Sequence, residues 1–406
     1  MAETARRIKR VSRATVGCSG GRGLGCALMV TFPLWAINIF PQNPWLASLG
    51  GGSHFAVNPR APTPTPDGPM HQVLVIRFGS LGDLCLLAWS LTRWHHGEGG
   101  DRRHVTLLTK AANAPLMEQV PGIDRVLSLP VGGGLGALAG LARRLGRENF
   151  DTIIDAHSVL RSHALLLMMR RRPATRLRKD TAARLGLLGL GRGSRNLQRT
   201  MAERFDSLFA PLDPLGQARP PLRHLAAGPR DADSPLGLAP GAQWSTKRWP
   251  EEHYAQLLAA YLAAGRGTAR IFLGPREETW FAGSKLAAVA EGREQVEIVR
   301  GRSLVEVAAA LAGCHRLVTN DSGLLHMAEA VGTPVLAFFG PTVRQFGYFP
   351  RLAASRVLET PLDCRPCSRN GKKACHRGDG ACLTRIPVAE ALAHLPGPAE
   401  EMETKP

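Results

Sequence analysis

Short apolar runs without alternation are what most constrain this chain. Val73 to Phe78 reads VLVIRF, Val105 to Lys110 reads VTLLTK, Arg125 to Pro130 reads RVLSLP and Asp151 to His157 reads DTIIDAH. A strand that is apolar at consecutive positions is covered on both faces, which is the situation of a parallel sheet between helices. Helical stretches at Leu84 to Trp94 and Leu135 to Arg147 fall between these runs. Strand alternating with helix predicts parallel βαβ units in a doubly wound α/β sheet. Gly216 to Asp233, rich in Pro, Ala, Gly and Arg, reads as a linker. A second series follows, with strands in LGLAPGA (Leu236 to Ala242), RIFLGP (Arg270 to Pro275), VEIVRG (Val296 to Gly301), RLVTND (Arg316 to Asp321) and PVLAFFGP (Pro334 to Pro341), and a helix from about Pro250 to Ala264. Paired α/β halves of this kind hold a ligand in the cleft between them, at the carboxyl ends of the strands.

The length of 406 residues suffices for two domains with cores of their own. With 44% hydrophobic and 21% charged residues, the composition is that of a globular protein and argues against a mostly disordered chain. The formal net charge is +18. Such a surface favours polyanions: nucleic acid, anionic lipid or phosphorylated glycan. Residues 1–69 differ from the rest, with a basic cluster (Arg6 to Arg13), an apolar stretch (Leu24 to Phe40) broken by Pro33 and Asn38, and a Pro-rich tail. They are expected to be a disposable or misassigned extension, with Met70 as the alternative start, or a membrane anchor. Their seven Lys and Arg against Glu3 and Asp67 give +5, which leaves +13 of the +18 on the rest.

Three motifs carry chemistry. In RFGSLGD (Arg77 to Asp83), Gly79 and Gly82 allow a tight turn at a helix start. Asp83 is there either to cap the helix or to act as a catalytic carboxylate. In GAQWSTKRWPEE, from Gly241, the hydroxyls of Ser245 and Thr246 and the ammonium of Lys247 follow a strand end, and Pro250 opens a helix. Donors and a point charge there suit a diphosphate, as a plain surface loop would not need to. In LVTNDSGLLHMAEAVGTPVLAFFGPT, from Leu317, Asp321 ends a strand, Ser322 and Gly323 begin a helix, and His326 follows one turn later. That helix start is an anion site by geometry, and Asp321 suits sugar hydroxyls better than phosphate.

In this order and spacing the segments resemble glycosyltransferase family 9, the bacterial heptosyltransferases of lipopolysaccharide core assembly, over roughly Met70 to Pro387. The resemblance implies a GT-B fold, two Rossmann-like doubly wound domains facing a central cleft. Residues 70–225 would hold the acceptor and 234–390 the nucleotide sugar, with 391–406 as a tail. It implies an inverting transferase that needs no metal or other cofactor, moving a heptose or related sugar from an ADP-sugar to a lipopolysaccharide core or similar anionic lipid-linked glycan. The expected place is cytoplasmic, on the inner face of the cytoplasmic membrane, without nucleic acid. By motif match Asp83 corresponds to the general base, with Arg77, Gly79 and Gly82 in the acceptor-side loop. Ser245, Thr246 and Lys247 match the diphosphate loop, and Asp321, Ser322, Gly323 and His326 the donor-binding turn. Glu277 or Glu278 stands near the place of a ribose-binding acid. One departure is LCLLAWSL after Asp83, where family members often carry a Pro.

Cys85 and Cys314 read as small buried residues, and Cys18 and Cys26 lie in the extension. Cys364, Cys367, Cys375 and Cys382 cluster in CRPCSRNGKKACHRGDGAC. The spacing suits a structural zinc held by four thiolates, with disulfides, redox sensing or unligated thiols as alternatives. Some family sequences carry a similar cluster ending in CL-x-x-I, matched by Cys382, Leu383 and Ile386. The competing functional classes are a basic zinc-containing nucleic-acid-binding protein, which leaves the first three motifs unexplained, and an inactive glycan-binding family member. An NAD-dependent oxidoreductase is disfavoured, since no GxGxxG opens either half.

Overall fold

The computed structural model describes residues 69–97, 102–129, 134–190, 195–231 and 233–395. The expected extension or anchor, with Cys18 and Cys26, lies outside them, as do residues 396–406 of the expected tail.

The first half is a sheet of His71–Ile76 (β1), Arg103–Lys110 (β2), Arg125–Leu129 (β3), Thr152–Asp155 (β4) and Thr175–Arg176 (β5). All pairings are parallel, in the order β3-β2-β1-β4-β5. Its helices are Leu81–His95 (α1), Ala114–Met117 (α2), Leu135–Gly146 (α3), Leu160–Met168 (α4), Thr181–Leu190 (α5) and Met201–Phe209 (α6). The second half has Leu236–Ala239 (β6), Ala269–Phe272 (β7), Val296–Val299 (β8), Arg316–Asn320 (β9), Val335–Phe338 (β10) and Arg356–Leu358 (β11), parallel and ordered β11-β10-β9-β6-β7-β8. Its helices are Glu251–Ala263 (α7), Pro275–Phe281 (α8), Lys285–Ala290 (α9), Leu304–Ala312 (α10), Gly323–Ala330 (α11), Ala381–Thr384 (α12) and Val388–Ala393 (α13). Both sheets are doubly wound as expected. The short strands β5 and β11 escaped the sequence reading, because two or three residues give no pattern.

Chain order reverses between β1 and β4 in one sheet and between β6 and β9 in the other. Ile76 pairs level with Asp155, and Ala239 with Thr319, so the loops leaving each pair of strands emerge side by side. Loops at such reversal points form the crevice where doubly wound sheets bind ligands. The motifs around Asp83, Lys247 and Asp321 all leave from them.

Helix α1 is apolar nearly all round, with Leu84, Leu86, Leu87 and Leu91 buried, so it must be covered on every side. It packs against α6 of its own half and α11 of the other, while α10 packs against α2. Leu325, Met327, Ala328 and Ala330 of α11 are fully buried, and the halves share one apolar seam. The expected linker is pinned down along its length. Gly216 exchanges hydrogen bonds with Arg93 of α1. The Leu222 amide donates to the Ala330 carbonyl, and the Arg230 guanidinium to those of Ala312 and Val331. Among the described residues no helix is long and apolar enough to cross a membrane.

Candidate active site

The turn after β1 answers what Asp83 does locally. Ser80 occupies the cap position of α1 and Asp83 the third helical position, and neither side chain accepts a cap hydrogen bond from the helix amides. Capping is therefore not its role. The carboxylate instead accepts from Ser80 Oγ at 2.8 Å, from the Arg77 guanidinium at 2.8 Å and from Tyr348 Oη of the other half at 3.2 Å. Burial works to raise its pKa, but the Arg77 charge and the Ser80 hydrogen bond outweigh this and hold the carboxyl below the usual carboxylate range. It is ionised at neutral pH.

Arg77 is 4% exposed and folds back over the turn. Its Nη1 donates to the Ala156 carbonyl at 2.6 Å, and the guanidinium lies over the Phe205 ring. Gly79 is needed here because a Cβ would collide with that guanidinium. Gly82 serves a different contact: a Cβ there would stand 2.7 Å from Cδ2 of His326, on α11 of the other half. The first turns of α1 and α11 therefore meet at two glycines, although a Cβ on Gly323 would make only an ordinary contact with Leu81, at 3.4 Å. Gly82→Ala is expected to destabilise the fold by about 1–3 kcal/mol, because the buried His326 ring must shift. Chemical denaturation checks this, and an unchanged midpoint would show that the ring yields freely.

The loop after β6 turns through a short 3-10 segment at Ser245–Lys247. Its position is set by Asn320 at the end of β9, whose side chain accepts from the Trp249 amide at 2.9 Å and donates to the Pro240 carbonyl at 2.8 Å. Trp249 anchors the far side, stacked on Phe338 with its Nε1 donating to the Ile386 carbonyl at 3.1 Å. Lys247 Nζ then reaches Asp321 Oδ2 at 2.6 Å, and Thr342 Oγ1 donates to the same oxygen at 2.6 Å. Ser245 is exposed, while the Thr246 hydroxyl is spent on the Gly371 carbonyl. Ser322 caps α11 in extended conformation, with Gly323 as its first residue.

His326 is buried, and its Nδ1 has no hydrogen-bond partner among the described residues. Burial, despite the pull of Asp321 and Asp83, pushes its pKa down to about 4. Glu277 and Glu278 separate cleanly. Glu277 turns inward, accepting from the Gly274 amide at 3.1 Å, where a Cβ on Gly241 would collide with its carboxylate. Glu278 is exposed. Burial, only partly opposed by Arg248, raises the Glu277 pKa.

The sequence reading missed Tyr348, Thr342, His157 and Lys179. Tyr348 and Thr342 lie in irregular chain after β10, where no periodicity flags them. Burial and the Asp83 charge push the Tyr348 phenol well above its usual range. His157 Nδ1 accepts from the Phe78 amide at 3.3 Å, and burial with the Arg77 charge lowers its pKa to about 3. His315, also through burial, falls to about 4. Each of the three is neutral when folded and takes up a proton on unfolding once the pH is below about 6.5. Stability is therefore expected to fall as pH drops from about 6.5 towards 4, by up to about 1.4 kcal/mol per pH unit for each proton taken up. Urea unfolding at pH 7.5 and 5 measures it, and equal stability at both would contradict the burial of these rings.

The cysteines bear on another expectation. Cys85 and Cys314 are buried, as read, and burial lifts both thiols to about 12. Cys364, Cys367, Cys375 and Cys382 are free thiols. Among the described residues no group of three or more His, Cys, Asp or Glu is placed to hold a metal ion, so a four-thiolate zinc site is not shown, although the four thiols lie near enough to act on one another's charge. The loop instead packs onto the candidate diphosphate loop: Gly371 adopts φ +88°, and a Cβ on it would meet Lys247 Cγ at 2.8 Å.

The profile of glycosyltransferase family 9 (heptosyltransferase) matches residues 138–376, more than half of the chain. Lipooligosaccharide heptosyltransferase 2 of Haemophilus influenzae is 29% identical over 256 residues, covering 57% of this chain and 73% of that protein. Lipopolysaccharide heptosyltransferase 1 of Pseudomonas aeruginosa is 30% identical over 243 residues, covering 57% and 65%. Among solved structures, E. coli heptosyltransferase WaaC with ADP-2-deoxy-2-fluoro heptose superposes with a TM-score of 0.60 at 23% identity, covering 79% of this chain and 97% of that one. The glycosyl transferase family 9 protein of Veillonella parvula gives 0.61 at 21%, covering 82% and 98%. The fold shared with them is GT-B, and the chain belongs to glycosyltransferase family 9, the heptosyltransferases, as a glycosyltransferase.

Proposed function

We propose that this chain transfers a heptose from ADP-heptose to an anionic, lipid-linked glycan of the lipopolysaccharide-core type, with inversion and without a metal ion. The observation that carries the reading is the meeting of the halves. An ionised Asp83 of the first half stands at the seam, one residue from the glycine that packs on His326 of the second. Residues 70–225 take the acceptor and 234–390 the donor. The acceptor hydroxyl approaches Asp83, displacing its longest hydrogen bond, that from Tyr348. As the oxygen bonds the anomeric carbon, its proton passes to Asp83 and the bond to the diphosphate oxygen breaks. ADP leaves with the electron pair. Its charge is met by Lys247 and by the amides at the start of α11, while Ser245 offers a further hydroxyl. Asp321 orients the Lys247 ammonium, and neutral His326 offers a hydrogen bond without adding charge. Glu277, inward and next to the loop, suits the ribose hydroxyls. A relative solved with an ADP-heptose analogue supports the choice of donor.

Working at the inner membrane surface belongs to the same proposal. Among the described residues the exposed large apolar side chains, Leu135, Leu160, Leu167, Met168 and Leu185, all lie in the first half. Residues 160–184 carry eight Lys and Arg against the single acid Asp180. Apolar side chains beside a basic run fit an anionic bilayer, where each exposed cation contributes about 1 kcal/mol.

A panel of ADP-, UDP- and GDP-sugars, offered with deacylated lipopolysaccharide core in EDTA, tests the reading. ADP-heptose is expected to be consumed at a rate EDTA does not change. Consumption of another donor instead would remove the heptosyl assignment, and of none, the transferase mechanism.

A further inference from the structure

The cysteine-rich loop does something the donor site does not require. Residues 364–376 bound a cavity of about 800 Å³ whose lining also includes Leu188 of α5, from the first half. Small-molecule pockets are typically about 300–1,000 Å³. Arg369, Lys372, Lys373 and His376 line it, and no Asp or Glu does. The nearby ion pairs, Arg365 with Glu359 and Arg377 with Asp379, use none of these side chains, and among the described residues Arg369, Lys372 and Lys373 form no ion pair. Three uncompensated cations gathered on one loop repel each other and cost free energy unless an anion joins them.

The frame holding them is fixed without their help. Buried Ser368 accepts from the Gly371 amide at 2.9 Å and the Lys373 amide at 3.3 Å. Arg365 donates to the Thr360 carbonyl at 2.8 Å and the Thr342 carbonyl at 3.0 Å, and Thr246 holds the Gly371 carbonyl. The cavity thus adjoins the Lys247 loop through Gly371, yet none of Ser245, Lys247, Asp321, Ser322 or His326 lines it. It also faces the first half: Lys179, whose pKa burial and Arg77 depress, feels both Asp83 and Arg369.

We infer that this cavity is a phosphoryl-binding subsite for the acceptor, holding a phosphorylated sugar next to the one whose hydroxyl reacts at Asp83. The inference rests on the acceptor reading above. It gives the basic residues of the loop a role separate from the donor diphosphate, and it makes the loop a discriminator between phosphorylated and unphosphorylated acceptors. A phosphoryl group can reach the cavity on a glycan or on a lipid headgroup, and the position of the cavity between Leu188 of the first half and the loop of the second favours the glycan.

The test uses the full chain with its donor site saturated with ADP, so that phosphate cannot report on Lys247. Calorimetry compares a hexose phosphate, the same hexose without phosphate, and glycerol phosphate. The hexose phosphate is expected to bind, tighter than glycerol phosphate, and the free hexose not to bind. The exposed pair Arg369→Ala with Lys373→Ala is expected to lose about tenfold in affinity or more, the scale of one or two charge-assisted hydrogen bonds, while Arg369→Lys with native Lys373 keeps most of it. In transfer assays the same double variant is expected to raise KM for phosphorylated core and to erase the preference over enzymatically dephosphorylated core. Unchanged hexose phosphate affinity in the double variant overturns the site, and tighter binding of glycerol phosphate overturns its assignment to the glycan. Charge-dependent hexose phosphate binding in a chain that transfers no heptose leaves the subsite standing and sinks the heptosyltransfer reading instead.

Discussion

Asp83→Asn will lower kcat by about 10²–10⁴ while leaving ADP-heptose binding close to unchanged, the loss expected when a positioned general base is removed. The substitution keeps size and much of the hydrogen bonding from Ser80 and Tyr348, so the turn after β1 should hold its shape. What it removes is the negative charge that Arg77 pairs with and the lone pair that takes the proton. Because the Arg77 charge and the Ser80 hydrogen bond hold the carboxyl below the usual range, the wild-type acid limb of kcat/KM assigned to this group should lie below the ordinary carboxylate range, with activity rising as pH rises through it. Steady-state kinetics with donor titration separates the two effects. A variant with near wild-type kcat would show that Asp83 only pairs Arg77, and a variant that no longer binds donor would place it in the wrong half of the reaction.

Lys247→Met carries the second largest effect. Lys247 is the cation of the proposed diphosphate loop, and its ammonium sits 2.6 Å from Asp321, with the side chains only 14% and 8% exposed. Removing one donor to a developing anion costs about 10²–10³ in kcat. The change also strands Asp321 in a poorly solvated place with Thr342 as its one remaining side-chain hydrogen-bond partner among the described residues, and a stranded charge costs stability as well as activity. The two losses are separable. Adding Asp321→Asn to Lys247→Met should restore the thermal midpoint without restoring turnover. If turnover returns with the midpoint, Lys247 acts on the fold alone. If the single variant keeps wild-type kcat, the leaving diphosphate is not met by Lys247.

Much of this was legible in the chain. Unalternating apolar runs mark strands covered on both faces, and VLVI at Val73 and RLVTN at Arg316 did become central strands of the two sheets. The motifs were legible because each sits where a strand ends, and strand ends are the positions a doubly wound sheet turns toward its crevice. The partners of those motifs were not. Tyr348 reaches Asp83 across 265 positions of sequence, and Thr342 reaches Asp321 from a loop without periodicity. The capping alternative for Asp83 failed by three residues, since Ser80 is an equally good helix start and took the place. The cysteine spacing suggested a metal, but spacing says nothing about how a glycine-rich loop folds. Its backbone is held by Ser368 and Thr246.

The most direct test of a base on one wall and a leaving group on the other is the stereochemistry of transfer. A single displacement assisted by Asp83 inverts the anomeric carbon, whereas two successive displacements retain it. NMR of the transferred heptose, comparing its anomeric coupling with that of the donor, reads this in one experiment. The opposite configuration in product and donor is the predicted result. The same configuration in both would contradict the assignment of Asp83 as the base of a single displacement.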